Sequence, residues 1–400
     1  MSANDTENSG VFVSRYNSAL KKRFPEKITI YDSTLRDGEQ MPGVAYSPEQ
    51  KLEIARRLDA IGVHQIEAGF PPVSDSERKA IKAIVREGLN AEILCLSRLN
   101  REDIDLAIEC EVDMAMLFIA SSRLHLESKL HLTEEQVLER ALDCIDYASA
   151  HGLKVSFSTE DTTRTEVRFL RRLYAETSKT AICRVGITDT VGCASPEAMA
   201  HLVRVVKEAS GGKLPISVHC HNDFGLALPN AIAGLEAGAS AVATTVCGFG
   251  ERAGNVPLEQ FAAAMKFVYG VDTGINTEGL TELCRLVSKY SRVPVHPNAP
   301  LVGQNAFSHE SGIHAAAVLK NPATYEPIAP ALVGNSRRIT LGKHSGSAVV
   351  QAMLHENGLS PDNSQMKMII ASVKSAGEKG PVSSGDLVAI AKGIIDGSGD

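Results

Sequence analysis

Short apolar and β-branched runs recur along the chain from Lys27 onward: "KITIYD" (27–32), "HQIEAG" (64–69), "AEILCL" (91–96), "MAMLFIA" (114–120), "KVSFST" (154–159), "RVGITD" (184–189), "ISVHCH" (216–221) and "AVATTV" (241–246). Each run is too short for a helix and rich in strand-forming residues, so the pattern predicts eight strands. Between them lie amphipathic stretches with helix punctuation. "SPEQKLEIARRLDAIG" offers Ser47 as a cap and Pro48 at the first helical position, and it closes at Gly62. "TEEQVLERALDCIDYASAHG" and "SPEAMAHLVRVVKEASGG" repeat that grammar, ending on glycine. Strand and helix alternating in this way over about 250 residues predict an α/β fold, a closed (β/α)8 TIM barrel from about 27 to 275, rather than an open doubly wound sheet. In such a barrel the chemistry sits at the C-terminal ends of the strands.

Outside the barrel the pattern changes. Residues 1–26 are polar and mixed in sign apart from "VFV", and are expected to form a weakly ordered arm. Residues 276–335 include "VPVHPNAPLVGQNAFSHESGIHAAAVLKNPATYEPIAP", a stretch of poor periodicity rich in Pro, Gly, Asn and His, expected to be an irregular linker subdomain. Residues 336–400 regain helical patterns and are expected to form a small helical subdomain with a Gly/Ser/Asp tail.

Composition narrows the function classes. The net charge of −7 provides no basic field for nucleic acid, so anions must be bound by local arginines. No stretch of about 18 uncharged apolar residues occurs, and the N-terminus lacks the pattern of a secretory signal, so a cytoplasmic protein without membrane partners is expected. The 8 cysteines are scattered with no C-x-x-C pair, which reads as reduced thiols.

Several strand ends carry reactive groups. In "SVHCHNDFG", His219 and His221 stand at i and i+2 at the end of the seventh run, so both side chains leave one face, a spacing suited to a divalent cation. "TLRDGEQ" follows the first run, and strand ends one and seven share a rim of the barrel, so Asp37 can complete a His, His, carboxylate set with open positions. Arg36 beside it would present a cationic fork to whatever the metal holds. "FSTED" ends the fifth run and puts Ser158 and Glu160 on one face, with Glu160 a candidate proton handler. Thr190, after the sixth run, can donate to a carboxylate. "GFGERAGN" (248–255) is a Gly-rich turn carrying adjacent Glu251 and Arg252, read as an internal ion pair. It lacks the following βαβ unit of a dinucleotide site.

Taken together, "STLRDGEQ", "SVHCHNDFGLA", "GFGERAGN" and "GKHSG" resemble the alkylmalate synthase family: isopropylmalate, citramalate and homocitrate synthases, in a superfamily of metal-dependent, Claisen-condensing barrels. The resemblance covers about residues 27–350. It implies an acyltransferase that condenses acetyl-CoA with a 2-oxo acid to a 2-substituted malate and CoA. It further implies Asp37, His219 and His221 as ligands of a divalent metal (Zn, Mn, Mg or Co), with Asn255 completing or supporting the shell. Arg36 would stabilise developing negative charge, Thr190 would hold the substrate carboxylate, and acetyl-CoA would lie near Gly248, Gly250, Glu251, Arg252 and Gly254. Glu160 and His314 resemble the family's proton-transfer residues. His314 and Tyr325 are expected to act across a homodimer, since in the family the post-barrel segment covers the neighbouring subunit. The rivals are a metal-dependent acyl-CoA or oxo-acid lyase and a non-catalytic 2-oxo-acid sensor. The lyase type carries a Cys in its Gly-rich loop, and "GFGERAGN" has none.

The choice of oxo acid is less strongly marked. Lysine-pathway homocitrate synthases resemble the chain less, because Ser156 and Leu96 stand where they carry Arg and His; isopropylmalate and citramalate synthases match better along the barrel. The C-terminal domain of leucine-regulated isopropylmalate synthases has no counterpart, so feedback of that kind is not expected. Arg123 in "FIASSRLHLESKL" departs from the usual pattern. With Ser156 it is expected to build a pocket for a second anionic group, as in 3-phosphonopyruvate (a 2-phosphonomethylmalate synthase) or 2-oxoglutarate (a homocitrate synthase). 2-Oxoisovalerate and pyruvate are the alternatives.

Overall fold

The computed structural model describes residues 9–19, 24–380 and 382–397. Two compact units divide these residues: one within 16–295, the other joining the chain from His296 onward to the residues before Tyr16.

The first unit is a closed parallel barrel in the sequential order β1 to β8. Its strands are β1 Thr29–Asp32, β2 Gln65–Gly69, β3 Glu92–Arg98, β4 Met114–Ala120, β5 Lys154–Glu160, β6 Arg184–Asp189, β7 Ile216–Cys220 and β8 Ala241–Thr244. β1 closes the barrel on β8 in the register Thr29 to Ala241 through Asp32 to Thr244. That closure seats the ends of β7, β8 and β1 side by side. Residues facing helices and residues facing the barrel interior are both buried, which is why the strands read as apolar runs without alternation.

The intervening helices start as their sequences dictate. Ser47 accepts from Gln50 N–H while Gln50 bonds back to the Ser47 backbone, a reciprocal cap for the helix Pro48–Ala60, and Thr133 and Gln136 do the same for Glu134–Ala150. One feature of Pro48–Ala60 bears on the site. Lys51, only 1% exposed, reaches under the first βα loop to the Leu35 carbonyl at 3.0 Å and lies 2.6 Å from both Glu39 and Glu77. Burial pushes the Glu77 carboxyl up, and Lys51 opposes that shift.

In the second unit, helices Ser347–Glu356, Asn363–Gly377 and Ser384–Asp396 enclose an apolar cluster that includes Leu341, Val350, Leu354, Ile369, Val373 and Leu387. The segment read as irregular contains a helix, Gly312–Lys320, preceded by Ser311. The alanine run in "GIHAAAVLK" was the overlooked signal, because alanine favours helix without providing an amphipathic period. Within the expected N-terminal arm, Val11 forms an antiparallel bridge to Ile328. Residues 1–8 and 20–23 of that arm, and 398–400 of the expected tail, lie outside the described residues.

Removing the Lys51 ammonium leaves Glu39 and Glu77 facing each other without a cation. Lys51→Met is expected to lower unfolding stability by about 3 kcal/mol, read as a shift of the urea midpoint, while Lys82→Met on the exposed Glu109 pair stays close to wild type.

Candidate active site

Asp32 ends β1 fully buried, accepting from Thr34 N–H at 2.9 Å and from the Thr244 hydroxyl at 3.1 Å; burial raises its carboxyl to about 6. These bonds start a tight turn in which Gly38 N–H returns to the Ser33 carbonyl at 3.0 Å, and the turn presents Arg36 and Asp37. Glu67, fully buried on β2, holds the Arg36 fork at both oxygens, Nε–Oε1 at 2.7 Å and Nη2–Oε2 at 3.0 Å. The remaining nitrogen, Nη1, donates to Asp37 Oδ2 at 2.7 Å. Burial disfavours the Arg36 charge, but Glu67 and Asp37 outweigh it and raise the guanidinium pKa further.

Asp37, His219 and His221 converge at the rim, all buried, with ligand atoms within 4.8 Å of one another. The two Nε2 atoms lie 3.1 Å apart, and Asp37 Oδ2 is 3.6 Å from His219 and 3.9 Å from His221. Burial acts to raise the Asp37 carboxyl, yet Arg36 and the histidines hold it well below the usual carboxylate range. Burial and the neighbouring His219 push His221 down to about 3, so its imidazole is neutral and its lone pair available.

The loop after β8 supports this set. Asn255 Nδ2 donates to Asp37 Oδ1 at 2.8 Å and Glu251 N–H donates to the same oxygen at 3.2 Å, which leaves Oδ2 directed at the histidines. Asn255 Oδ1 is buried with no hydrogen-bond partner in the described residues, and so is His221 Nδ1. Two imidazoles, a carboxylate and an orphaned amide oxygen fit a divalent cation with open positions. Gly250 has φ +156°, and a side chain there would collide with Asn255 Nδ2 and stand 2.5 Å from Asp37 Oδ1.

A cavity of about 320 Å³ opens onto the set, lined among others by Arg36, Ser158, Glu160, Thr190, Glu251 and Arg252. Thr190 Oγ1 accepts from Asp161 N–H at 2.8 Å, which leaves its own proton to donate. The far wall is apolar: Phe70, Leu96, Met116 and Phe118.

Two expectations require correction. Glu251 and Arg252 are not paired with each other: Arg252 forks onto Asp223 at 2.8 and 2.9 Å and caps the Thr190 carbonyl at 2.6 Å. The adjacency in sequence suggested a pair, but the turn points the two side chains apart. Arg123 and Ser156 share no pocket. The Arg123 side chain is 82% exposed, bonds Glu127 at 2.7 Å, and lines a separate groove of about 620 Å³ that holds none of the ligand set. Ser156 is buried inside the barrel, where it accepts from Arg184 Nε at 3.2 Å. Arg123 follows the C-terminal end of β4, whereas Ser156 stands near the start of β5, a difference in depth that charge pattern along the sequence does not show.

In the second unit, His314 and Tyr325 stack on each other with centroids 4.0 Å apart, both exposed, with Ile313 77% exposed beside them. Sequence reading missed Glu67, which holds Arg36, Asp223, which holds Arg252, and Lys129, whose Nζ bonds both Glu160 oxygens at 2.7 and 2.9 Å. An acid on a strand buried on both faces, as in "QIEAG", was the available signal for Glu67.

A buried His, His, Asp set with a clamped arginine, at the C-terminal rim of a (β/α)8 barrel, has the arrangement of a metal-dependent barrel enzyme. Comparison carries this further. The HMGL-like family model matches residues 27–287, and the model described as "Homocitrate synthase post-HMGL domain-like" matches residues 301–381. The chain is 52% identical over 377 residues to "Homocitrate synthase AksA" of Methanopyrus kandleri, covering 94% of both chains. It is 48% identical over 359 residues to "Probable 2-isopropylmalate synthase" of Ignicoccus hospitalis, covering 90% of both. Against "Putative (R)-citramalate synthase CimA" of Methanopyrus kandleri it is 47% identical, covering 93% of this chain and 73% of that one. The Bacillus subtilis HMG-CoA lyase structure superposes with a TM-score of 0.61 at 21% identity, covering 70% of this chain and 98% of that one, a likeness of fold. The chain belongs to the HMGL-like family and, within it, to the alkylmalate synthases, divalent-metal-dependent acyltransferases that use acetyl-CoA.

Because a side chain at position 250 would displace Asn255 and Asp37, Gly250→Ala is expected to weaken Mn²⁺ binding at least about 10-fold in an EPR titration. Gly393→Ala, where the added carbon meets open space in a helix, leaves Mn²⁺ affinity unchanged.

Proposed function

We propose that the chain condenses acetyl-CoA with an aliphatic 2-oxo acid, and that the lining of one cavity by both the Asp37, His219 and His221 set and the apolar Phe70, Leu96, Met116 and Phe118 carries this reading. When bound, the metal supplies a Lewis acid for the oxo-acid carbonyl and carboxylate. Arg36, already fixed by Glu67, stabilises negative charge that develops on the carbonyl oxygen; a donor held in advance costs no reorganisation. The Thr190 hydroxyl proton serves the substrate carboxylate. Glu160, at the cavity edge, moves the acetyl-methyl proton, and hydrolysis of the thioester releases the substituted malate and CoA.

The loop Gly248, Gly250, Glu251, Arg252 and Gly254 is assigned to the acetyl-CoA side, since its glycines leave backbone open to close approach. His314 and Tyr325 are assigned to the active site of a second copy of the chain in a homodimer. The support is their exposure on the second unit beside Ile313, an apolar face that suits coverage by another subunit.

The side-chain preference follows from charge. Each cation lining the cavity has an anionic partner: Arg36 has Glu67 and Asp37, Lys129 has Glu160, and Arg252 has Asp223. A distal carboxylate or phosphonate would have to break one of these pairs, whereas 2-oxoisovalerate or pyruvate needs only Leu96, Met116 and Phe118. A second reading, 2-oxoglutarate with its distal carboxylate drawing Lys129 from Glu160, is favoured by the 52% identity to homocitrate synthases over nearly the whole chain.

CoA release from acetyl-CoA, followed with a thiol reagent on Mn²⁺-loaded protein, tests both. Release with 2-oxoisovalerate or pyruvate above 2-oxoglutarate is the expected result, and Leu96→Ala raises KM for the aliphatic acid about 10-fold while KM for acetyl-CoA holds. Preference for 2-oxoglutarate moves the assignment to the second reading, and silence with every oxo acid rejects the condensing reaction.

A further inference from the structure

The Glu160 carboxylate is backed by a second set of ionisable groups that the proposed reaction, as described so far, does not use. Lys129 Nζ bonds both of its oxygens, at 2.7 and 2.9 Å. His125, one helical turn earlier and 19% exposed, places Nδ1 3.4 Å from Glu160 Oε1 and Nε2 3.8 Å from Asp161 Oδ2. Both His125 Nδ1 and Asp161 Oδ2 are buried without a hydrogen-bond partner in the described residues. Asp161 is fully buried in a left-handed conformation at φ +61°. Its N–H is fixed by Thr190 Oγ1 at 2.8 Å and its other oxygen by Arg164 Nε at 2.8 Å. A non-glycine residue held in that conformation is a local cost that an ordinary turn avoids.

Resting on the reading of Glu160 as the proton-transfer group, we propose that His125 is its proton relay, a positioning and transfer residue oriented by Asp161. An imidazole between one carboxylate in the cavity and another buried behind it has the base, carrier and orienter logic of a triad. Its unbonded nitrogen fits a transient contact better than a static scaffold role, in which buried polar atoms are satisfied.

The step balances. Glu160 Oε takes the proton as the methyl C–H bond breaks, and the electron pair stays on carbon as the enolate. That carbon bonds the oxo-acid carbonyl carbon as the C=O π pair moves onto oxygen, and the resulting alkoxide takes one proton from water. Glu160 then passes its proton to His125 Nδ1, Asp161 stabilises the imidazolium, and the ring gives up a proton from Nε2 to solvent. Water then adds its oxygen to the acyl carbon as the C–S bond breaks, giving a carboxylate, the CoA thiol and one proton, so that with one proton lost from the methyl group and one taken up by the alkoxide the reaction releases one net proton near neutral pH. The charged groups facing His125 are Glu160 and Asp161, and behind them Lys129 and Arg164.

The test compares His125→Ala, His125→Asn and Glu160→Gln in the Mn²⁺-loaded full chain, with the thiol assay and saturating 2-oxo acid. Glu160→Gln is expected to abolish turnover. Both His125 variants are expected to lose about 100-fold in kcat with KM values within about 2-fold of wild type, and added imidazole restores a measurable part of the His125→Ala rate. Wild-type kcat in either His125 variant, or a loss in both with no response to imidazole, overturns the relay and leaves Glu160 in place. Retained activity in Glu160→Gln removes the Glu160 reading and the relay with it.

Discussion

The site depends on a buried chain of alternating charge running from Glu67 through Arg36 to Asp37. None of the three can be desolvated alone at acceptable free energy, and each is fixed by its neighbour. One cation between two anions leaves a single negative charge, and the adjoining His221 stays neutral. A divalent cation more than cancels that charge, and the surplus is what a 2-oxo acid carboxylate neutralises. Glu67 touches neither metal ligand nor substrate position, yet it determines where the arginine points.

Barrel closure converts this local chain into a site. β1 delivers Arg36 and Asp37, β7 delivers the histidines, and the loop after β8 delivers Asn255, three neighbours only because β8 pairs with β1. This part was legible from sequence. Eight apolar runs set the strand count, the count set the closure, and the closure put "TLRDGEQ" beside "SVHCHND" before any distance was known. The histidines at i and i+2 needed only strand geometry to share a face.

What sequence did not reveal shares a physical cause: the direction of long side chains on loops. Arg123 and Lys129 stand six residues apart in one segment. The segment turns through Arg123–His125 into a wide π turn, Leu126–Leu130, which sends Arg123 outward to Glu127 and brings Lys129 inward to Glu160. A charge pattern read along a line cannot assign those directions, because a one-residue change in helical winding rotates them. Ser156 failed for a related reason. It lies one full strand period deeper than Ser158, and that difference separates the barrel interior from the cavity. The ion pair expected within the Gly-rich loop failed likewise, since Arg252 adopts φ +56° and swings to Asp223.

The pairing of every cavity cation has a consequence for selectivity. Where fixed charges are already satisfied, a substrate is chosen by the shape of the apolar wall, and apolar contacts separate homologous side chains by only about 1–3 kcal/mol. Close relatives carrying homocitrate, isopropylmalate and citramalate synthase names at 47–52% identity fit that picture. The metal set and the arginine clamp are held by fixed charges, while the apolar lining of Phe70, Leu96, Met116 and Phe118 carries no charge contact that a side chain would have to match. Lys129 is the exception within that wall. Its ammonium is half exposed and bound to one partner, so its pair with Glu160 is the charge contact that a substrate of different character would disturb first. On the proposed reading of Glu160, selectivity and proton transfer are coupled through Lys129, and a change of substrate class at this site would require Glu160 to be held by something else.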